Sequence, residues 1–367
     1  MENNNILFVV PSWNLGGTEM VNIAVANKLA EKHEVAIFTL SAPENEYLQA
    51  NCPVYGQSDL NFRIFTGVSG ILGMLRLDLC NRMWMAREAK KITRLAQKLK
   101  NQVVIVSSGS IYLIPFLKKQ NPNKKIIAWC HFSADTYLNG YLRYTTNFWI
   151  KGLRAADEVV CLTPKDKEKF LEINKNTRVI NNPLTLDNNE ISSLDSKIIS
   201  WTGRIANPHK GIDYLAKIAG KLPESWKISV AGDGDMELLE KYLAANNAQN
   251  KVVLRGSISG DELKKHYLNS SIYLMTSRSE GFGLVLVEAM SFGLPIVAFK
   301  QSSSEYVLDS GNSGVLVENG NIEAMVEALE EFIDDIEKRQ SYQKKSLKRV
   351  EEFMIDKVAK EWERLIF

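Results

Sequence analysis

The chain has 367 residues, of which 45% are hydrophobic, and its formal net charge is +2. This length exceeds the usual size of one hydrophobic core, so we expect two globular domains. No apolar run approaches the roughly 20 residues of a membrane-spanning helix, and the N-terminus lacks the basic segment of a secretory signal. The four cysteines show no C-x-x-C spacing. This argues against a zinc site or a disulfide framework and favours a cytoplasmic protein.

The charge is divided unevenly along the chain. Residues 1–180 hold 23 Lys and Arg against 15 Asp and Glu, whereas the remainder holds 22 against 28. A basic first half suggests that this half faces something anionic, although random scatter would also produce such a difference. We expect no nucleic-acid partner.

The first half alternates apolar runs with segments of helical periodicity. Residues 6–11 form an apolar run ended by Pro11 and predict a buried strand, residues 18–31 predict a helix, and residues 33–40 predict the next strand. Further buried runs follow, at 103–106, 126–129 and 158–162. Strands that alternate with helices predict a parallel, doubly wound α/β sheet.

A polar segment that includes Pro183 and residues 187–189 marks a linker, after which the pattern restarts. The strands predicted in the second half lie at 197–201, 226–231, 252–254, 272–275 and 296–298, and the helices between them at 211–222, 236–245 and 261–268. Two Rossmann-like domains with a cleft between them are therefore expected. The chain is helical and charged from Ile322 onward, with apolar anchors near its end: Phe353, Trp362, Leu365 and Phe367.

Residues 62–87 combine apolar and aromatic side chains with arginines, and basic residues continue to Lys100. Interleaved basic and apolar side chains are typical of a segment that lies on an anionic lipid surface. This interpretation predicts a membrane contact through residues 62–100. The alternative is a helix that buries one face in the core and exposes a solvated basic face, and the sequence leaves both open.

The first predicted strand is followed by Gly16 and Gly17, which open the first helix. Adjacent glycines let a backbone approach a ligand closely. The turn lacks the third glycine of the dinucleotide fingerprint, which disfavours an NAD-dependent oxidoreductase.

The first strand of the second half leads into Gly203 and Arg204, and the next helix opens at Lys210 and Gly211. A guanidinium can grip a phosphate with two N–H donors, and an ammonium adds a compact second charge. This pair suits a diphosphate leaving group. The alternative is two surface cations on a loop.

The stretch from Glu280 to Glu288 is the most informative part of the chain. It reads as a strand, a turn with two glycines and a helix, and the N-terminus of such a helix is an anion site. Glu280 would lie in the turn and Glu288 one step deeper, with the carboxylates on roughly one helical face and about 12 Å apart. That separation suits a ligand with hydroxyls at both ends and phosphates between them, such as a nucleotide sugar.

Three shorter segments add candidates at strand ends. Gly232 follows one strand and could form a wall of a nucleotide pocket, and we expect no metal at the neighbouring Asp233 and Asp235. Ile258 follows the next strand, where it could pack on a nucleobase. His131 closes a strand of the first half, at the edge where open α/β sheets bind ligands. Its imidazole could exchange a proton near pH 7. For each, a purely structural role is the alternative.

Taken in chain order, five segments resemble the family-4 retaining glycosyltransferases of GT-B fold. The segments are Gly16 to Glu19, His131, Gly203 to Gly211, Ala231 to Gly234, and Glu280 to Glu288. The resemblance implies an acceptor-binding Rossmann-like domain over residues 1–184, a domain that binds the nucleotide sugar over residues 185–350, and a helix over residues 351–367 that returns to the first domain.

The resemblance also implies roles for residues. Arg204 and Lys210 would hold the donor diphosphate, Glu280 would meet sugar hydroxyls, and Glu288 would meet the ribose. The resemblance further implies that backbone amides at Phe282, Gly283 and Leu284 face the sugar and the phosphates. It implies that Gly16 and Gly17 approach the diphosphate and that His131 lies beside the sugar. Gly203 and Gly232 complete the predicted set.

The implied activity is retaining transfer of a hexose or N-acetylhexosamine from a nucleotide sugar, with UDP favoured, to a lipid-linked or oligosaccharide acceptor. Cell-surface polysaccharide or lipopolysaccharide synthesis would fit, and neither a metal nor a cofactor is expected. A sugar-nucleotide epimerase and a non-catalytic lectin-like module are the alternatives. The chain departs from the family at 301–305, where Gln-Ser-Ser-Ser-Glu stands in place of a Gly-Gly pair, so acceptor recognition can differ.

Overall fold

A computed structural model of the chain describes residues 5–14, 16–43, 48–56, 78–138, 146–206 and 209–367. The chain divides into two compact units. Unit 1 comprises Met1–Thr185 together with Ile355–Phe367, and unit 2 comprises Leu186–Met354. The first crossing between the units lies inside the polar segment that predicts a linker.

Unit 1 is built on a parallel sheet whose described strands run in the order β3-β2-β1-β4-β5-β6-β7. Its strands are β1 (Asn5–Val10), β2 (Glu34–Thr39), β3 (Val54–Tyr55), β4 (Val103–Ser107), β5 (Lys125–Trp129), β6 (Glu158–Cys161) and β7 (Thr177–Val179). The central strands are apolar and buried on both faces because helices cover a parallel sheet on both sides. The predicted doubly wound α/β class is confirmed. The sequence did not predict β3 and β7, which are too short to show a pattern.

The helices of unit 1 carry the crossovers between parallel strands. They are α1 (Gly17–Ala30), α2 (Asp78–Lys98), α3 (Ile114–Gln120), α4 (Ala134–Thr136), α5 (Thr146–Ala155) and α6 (Pro164–Leu171), with a 3₁₀ helix at Ser108–Leu113. One core cluster joins the sheet to helices α2, α3 and α5, with Trp149 and Phe170 among its fully buried side chains.

Unit 2 has a second parallel sheet, in which the described strands run in the order β10-β9-β8-β11-β12-β13. The strands are β8 (Ile198–Thr202), β9 (Lys227–Ala231), β10 (Val252–Gly256), β11 (Ile272–Met275), β12 (Ile296–Phe299) and β13 (Val315–Val317). The helices are α7 (Ile212–Lys221), α8 (Met236–Ala245), α9 (Gly260–Leu268), α10 (Leu284–Ser291), α11 (Ser302–Val307), α12 (Ile322–Asp334) and α13 (Ile336–Val350), with 3₁₀ helices at Gln249–Lys251, Asp309–Gly311 and Glu351–Phe353.

The terminal helix α14 (Ile355–Ile366) belongs to unit 1, where it packs on α1. Its amphipathic face buries Trp362 and Leu365, and the Trp362 ring meets the Trp129 ring at 4.6 Å between centroids. Two predicted anchors behave differently. Phe353 packs inside unit 2 against Phe282, and Phe367 is 53% exposed although its ring lies beside His33.

The basic segment predicted at 62–100 is described only in part, because residues 57–77 lie outside the described residues. Helix α2 buries Met85, Ala89, Ile92 and Ala96 in the core. Its opposite face exposes the basic side chains Arg82, Arg87, Lys90, Arg94 and Lys98. This part of the segment is therefore a helix with one face in the core and a basic face exposed, and a membrane contact through that face stays a prediction. None of the helices in the described ranges is long and apolar enough to cross a bilayer.

Candidate functional site

The predicted diphosphate loop and the predicted sugar loop lie side by side in unit 2. Strands β8 and β11 are hydrogen-bonded neighbours although β9 and β10 separate them in the sequence. The chain therefore reverses its direction across the sheet between β8 and β11, and open α/β sheets bind ligands at the carboxyl ends of the strands at such a point. The loops that follow these two strands hold Lys210 and Glu280.

An ion pair joins these two loops. Lys210 Nζ lies 2.5 Å from Glu280 Oε1, and the Ser277 hydroxyl donates to the same oxygen at 2.7 Å. Side-chain exposure is 21% for Lys210 and 14% for Glu280, so the pair is shielded from much of the solvent. The Lys210 ammonium also lies over Gly203, because a Cβ built on this glycine would be 3.6 Å from Nζ. Three predicted site residues thus lie in one place.

A second ion pair clamps the same loops together. The two guanidinium nitrogens of Arg278 donate to the two carboxylate oxygens of Asp213 at 2.8 and 2.6 Å. The guanidinium also lies 3.7 Å from the centre of the Tyr214 ring, which adds a cation–π contact. A planar, bidentate pair fixes direction as well as distance. Arg278 and Asp213 therefore hold the predicted sugar loop against the first turn of α7.

Backbone contacts reinforce this clamp. The Thr276 hydroxyl donates to the Lys210 carbonyl at 2.8 Å and accepts from Trp201 Nε1 at 2.9 Å. Gly211 has φ +62°, and a Cβ there would stand 2.2 Å from the Thr276 carbonyl oxygen. Only glycine combines this left-handed conformation with so close an approach. The position of Lys210 is thus set by the end of β11.

The sequence suggested that Glu280 and Glu288 lie on one helical face, but in the structure they do not. Helix α10 begins at Leu284, and its N-cap Gly283 is left-handed at φ 84°. Glu280 therefore lies in the turn before the helix, and the helical spacing of about 12 Å does not apply to the pair. Phe282 is 3% exposed because its ring packs edge-on against Phe353 at 5.6 Å, which fixes the turn in front of the helix N-terminus.

Glu288 lies on α10 and is half-buried. The Tyr267 hydroxyl donates to its Oε2 at 2.8 Å. Burial raises the pKa of the Glu288 carboxyl, and the hydrogen bond from Tyr267 opposes this rise.

The turns after β8, β9 and β10 are hydrogen-bonded to one another. Gly203 N donates to the Ala231 carbonyl at 3.0 Å, and Gly232 N donates to the Gly256 carbonyl at 2.8 Å. Gly232 has φ +150°, and a Cβ there would lie 1.9 Å from the Gly203 carbonyl oxygen. Gly232, which is predicted to form a wall of a nucleotide pocket, is therefore also required for these turns to pack.

Other predicted residues of unit 2 lie at the same edge with fewer contacts. Arg204 is exposed, and none of the described residues forms an ion pair or hydrogen bond with its guanidinium. Ile258 is half-buried after β10. Asp235 accepts from Leu238 N at 3.0 Å and caps α8. Residues 207 and 208, which include the proline of the predicted diphosphate loop, lie outside the described residues.

Unit 1 has its own glycine turn at the start of α1. Gly16 and Gly17 are described and part-exposed or exposed, and Gly16 is the N-cap of the helix. The Glu19 carboxylate accepts from the Ser12 hydroxyl at 2.5 Å and would lie 2.8 Å from a Cβ on Gly16. Burial raises the pKa of Glu19. The predicted approach of these glycines to a diphosphate stays a prediction.

His131 forms a buried polar chain with two residues that the sequence did not single out. Asn22 Nδ2 lies 3.1 Å from His131 Nε2, and the Ser107 hydroxyl donates to Asn22 Oδ1 at 2.5 Å. With the Asn22 amide donating, Nε2 accepts and the ring proton sits on Nδ1, which has no partner among the described residues. Burial lowers the pKa of His131 to about 3. The ring is therefore neutral near pH 7, and the expected proton exchange at that pH does not fit its environment.

The residues that the sequence did not single out share one property. Tyr267, Asp213, Arg278 and Asn22 are ordinary residues inside helices or loops, and each matters through a partner far away in the sequence. Of these four residues, only Arg278 and Asp213 could have been identified from the sequence, because they lie beside motif residues.

Comparison with known proteins finds two family models and several relatives that match this chain. Two family models match the chain: the model described as Glycosyltransferase Family 4 over residues 15–188, and the model described as Glycosyl transferases group 1 over residues 186–349. A protein of Haemophilus influenzae described as an uncharacterized glycosyltransferase is 31% identical over 372 residues, with 98% of each chain covered.

Two further relatives indicate the range of the similarity. The amylovoran biosynthesis glycosyltransferase AmsD of Erwinia amylovora is 23% identical, with 96% of each chain covered. The structure of HepE of Anabaena in complex with UDP and glucose has a TM-score of 0.78 to this chain at 17% identity, with 99% of each chain covered. These similarities give no support to the alternative of a sugar-nucleotide epimerase.

The buried His131 makes the stability of the protein dependent on pH. Its folded pKa of about 3 lies below the usual 6.5, so the unfolded chain binds more protons between these values, and stability falls as the pH drops below 6.5. We expect His131→Asn to remove about 2 kcal/mol of the loss in unfolding free energy between pH 7 and pH 5. Urea unfolding at the two pH values measures this.

A matched control for this experiment is His209→Asn, because His209 is exposed. The control should leave the pH dependence unchanged. Equal slopes in wild type and His131→Asn would contradict the buried, neutral state of His131.

Proposed function

The chain belongs to the family 4, group 1 glycosyltransferases of GT-B fold, and we propose that it transfers a hexose or N-acetylhexosamine from a nucleotide sugar to a glycan acceptor with retention of configuration. The observation that carries this proposal is the Lys210–Glu280 ion pair at the carboxyl edge of β8 and β11, next to the N-terminus of α10. Cations and a helix N-terminus suit a diphosphate, and a carboxylate beside them suits sugar hydroxyls.

The charges of unit 2 explain how a carboxylate and a diphosphate can share this place. A diphosphate would repel the Glu280 carboxylate unless a cation stands between them. Lys210 has three N–H donors, and one of them is directed to Glu280. The other donors can serve a phosphate oxygen, while Arg204 adds a guanidinium that has no other described partner.

In the proposed reaction, the bond between the sugar C1 and the diphosphate oxygen breaks while the acceptor oxygen bonds to C1 on the same face. The acceptor proton passes to an oxygen of the leaving diphosphate. Arg204, Lys210 and the N–H groups around Gly283 and Leu284 stabilise the charge that grows on this group. We propose that this stabilisation requires no metal ion.

We propose that UDP is the nucleotide of the donor. The support is the UDP in the complex of HepE, a protein of the same fold. The Glu288 carboxylate would accept from ribose hydroxyls, and Ile258 would pack on the base after β10. Gly16, Gly17 and His131 of unit 1 keep their predicted roles toward donor and sugar as part of the proposal.

We propose a glycan on an anionic lipid carrier as the acceptor, in cell-surface polysaccharide or lipopolysaccharide synthesis at the inner face of the membrane. The name of AmsD places that relative in the synthesis of amylovoran. Support within this chain comes from α2, whose exposed Met83, Arg87, Lys90, Arg94 and Lys98 recur every three or four residues along one face. Its acidic residue with a described side chain, Glu88, is buried and paired with Lys91. A basic face of this kind attracts anionic lipid headgroups.

Loss of a cation at the diphosphate site should impair catalysis. We expect Arg204→Ala to lower kcat about 100- to 1000-fold, by analogy with the removal of one charge-stabilising donor. Release of nucleotide from a panel of UDP- and GDP-sugars, with and without an oligosaccharide acceptor, measures this. The control is Lys217→Ala, which removes an exposed cation from α7. Equal turnover in wild type and Arg204→Ala would contradict the assignment.

The anomeric configuration of the product tests the stereochemistry, and turnover in EDTA tests the metal requirement. We expect a glycosidic bond with the same anomeric configuration as the donor, read from the proton coupling at C1 by NMR. Turnover should be unchanged in EDTA, because protein cations and the helix N-terminus balance the leaving charge. An inverted product would refute retention, and loss of turnover in EDTA that Mg²⁺ restores would refute independence from metals.

Vesicle binding tests the membrane contact. We expect the protein to sediment with vesicles of phosphatidylcholine and phosphatidylglycerol at low salt, and to stay in solution at high salt or with phosphatidylcholine alone. Combined Arg87→Gln, Lys90→Gln and Arg94→Gln should weaken binding about 100-fold, since each basic residue near the surface contributes about 1 kcal/mol.

The control variant for the vesicle experiment carries Lys151→Gln, Lys165→Gln and Lys175→Gln, three exposed lysines elsewhere on unit 1. It should bind like wild type. Equal weakening in both variants, or no binding of wild type to anionic vesicles, would favour an acceptor in solution.

A further inference from the structure

Tyr267 has a hydroxyl that the packing of unit 2 holds in one direction. The side chain is fully buried, and its ring stacks on Phe292 at 5.2 Å between centroids with an interplanar angle of 21°. The Tyr273 ring lies on another side at 6.0 Å. A buried ring in contact with other rings cannot change rotamer without opening a cavity. The hydroxyl therefore stays where it meets Glu288.

The hydrogen bond from Tyr267 occupies one of the two oxygens of the Glu288 carboxylate. It reaches Oε2 at 2.8 Å, and Oε1 has no partner among the described residues. Glu288 is half-buried on α10, four residues after Leu284, the first residue of the helix. A carboxylate held through one oxygen presents the other in a defined direction, and it loses little freedom when that oxygen accepts a hydrogen bond.

We propose that Tyr267 is a positioning residue that turns Oε1 of Glu288 toward the ribose hydroxyls of the bound nucleotide. This inference rests on the proposed function, in which Glu288 accepts from the ribose. Hydroxyls at C2′ and C3′ of a ribose donate, and a carboxylate only accepts, so the two groups are complementary. Tyr267 does not touch the ligand and acts through Glu288.

A comparison of ribose and deoxyribose ligands isolates this role from a purely structural one. We expect wild type to bind UDP about tenfold or more tightly than 2′-deoxy-UDP, because removal of the hydroxyl leaves a carboxylate oxygen of Glu288 without its donor. In Tyr267→Phe the ratio of the two affinities should fall close to one, because no hydroxyl holds the Glu288 carboxylate in its orientation. Isothermal titration of both proteins with UDP and 2′-deoxy-UDP, and with GDP and 2′-deoxy-GDP, gives these ratios.

The control variant is Tyr273→Phe. Tyr273 is also fully buried, but its hydroxyl lies 3.4 Å from the Thr202 carbonyl and makes no hydrogen bond to Glu288. This variant should keep the wild-type ratio even if it lowers the melting temperature.

A second readout is the pH dependence of UDP binding. Without the Tyr267 donor the Glu288 carboxyl binds its proton more readily, so the loss of affinity on acidification should begin at higher pH in Tyr267→Phe only.

The outcomes separate the inference from the function on which it rests. If wild type discriminates against the deoxy ligand and Tyr267→Phe discriminates equally, the positioning role is overturned while the ribose contact stands. If wild type does not discriminate, the ribose contact of Glu288 fails and the role of Tyr267 fails with it. Should Tyr267→Phe not fold, a structure of wild type with UDP decides: Oε1 at hydrogen-bond distance from a ribose hydroxyl, with Oε2 still on Tyr267, supports the inference, and any other arrangement refutes it.

Discussion

The adjacency of β8 and β11 is the constraint on which the rest of the candidate site depends. The chain adds β9 and β10 on one side of β8 and then returns to place β11 on the other side. Two loops that are 70 residues apart thereby meet, and Lys210 pairs with Glu280. An ion pair on an open surface contributes little to stability. This pair gains from its partial burial and from the Arg278–Asp213 clamp, which holds the same two loops together.

Much of the architecture could be predicted from the sequence because its signals are local. Buried parallel strands appear as short apolar runs such as 272–275, and helices show their period within a dozen residues. Glycine turns that open helices identified the loops at 203–211 and 280–288. The prediction that Glu280 and Glu288 lie on one helical face was wrong. A left-handed residue at Gly283 starts the helix four residues later than the Glu, and backbone conformation of this kind is not visible in residue spacing.

The rest could not be predicted because it depends on contacts between distant residues. In the sequence, nothing distinguishes Tyr267 from other aromatic residues in helices. Its importance comes from its hydrogen bond to the Glu288 carboxylate on α10. The same holds for Asn22 and Ser107, which surround His131. A strand-end histidine suggests proton exchange near pH 7, but full burial removes water from the charged form and lowers its pKa. Burial is a property of the fold, which no single residue shows.

Helix α14 has a consequence for how the protein is made. Unit 1 includes residues 355–366, so part of its core leaves the ribosome only after the whole of unit 2. Domains generally fold in the order of synthesis, yet here the unit that is begun first is completed second. Until Trp362 arrives, the ring of Trp129 lacks its cover. During synthesis, unit 1 therefore exposes an apolar surface until residues 355–366 have been made. A fragment that ends at the linker exposes this surface permanently.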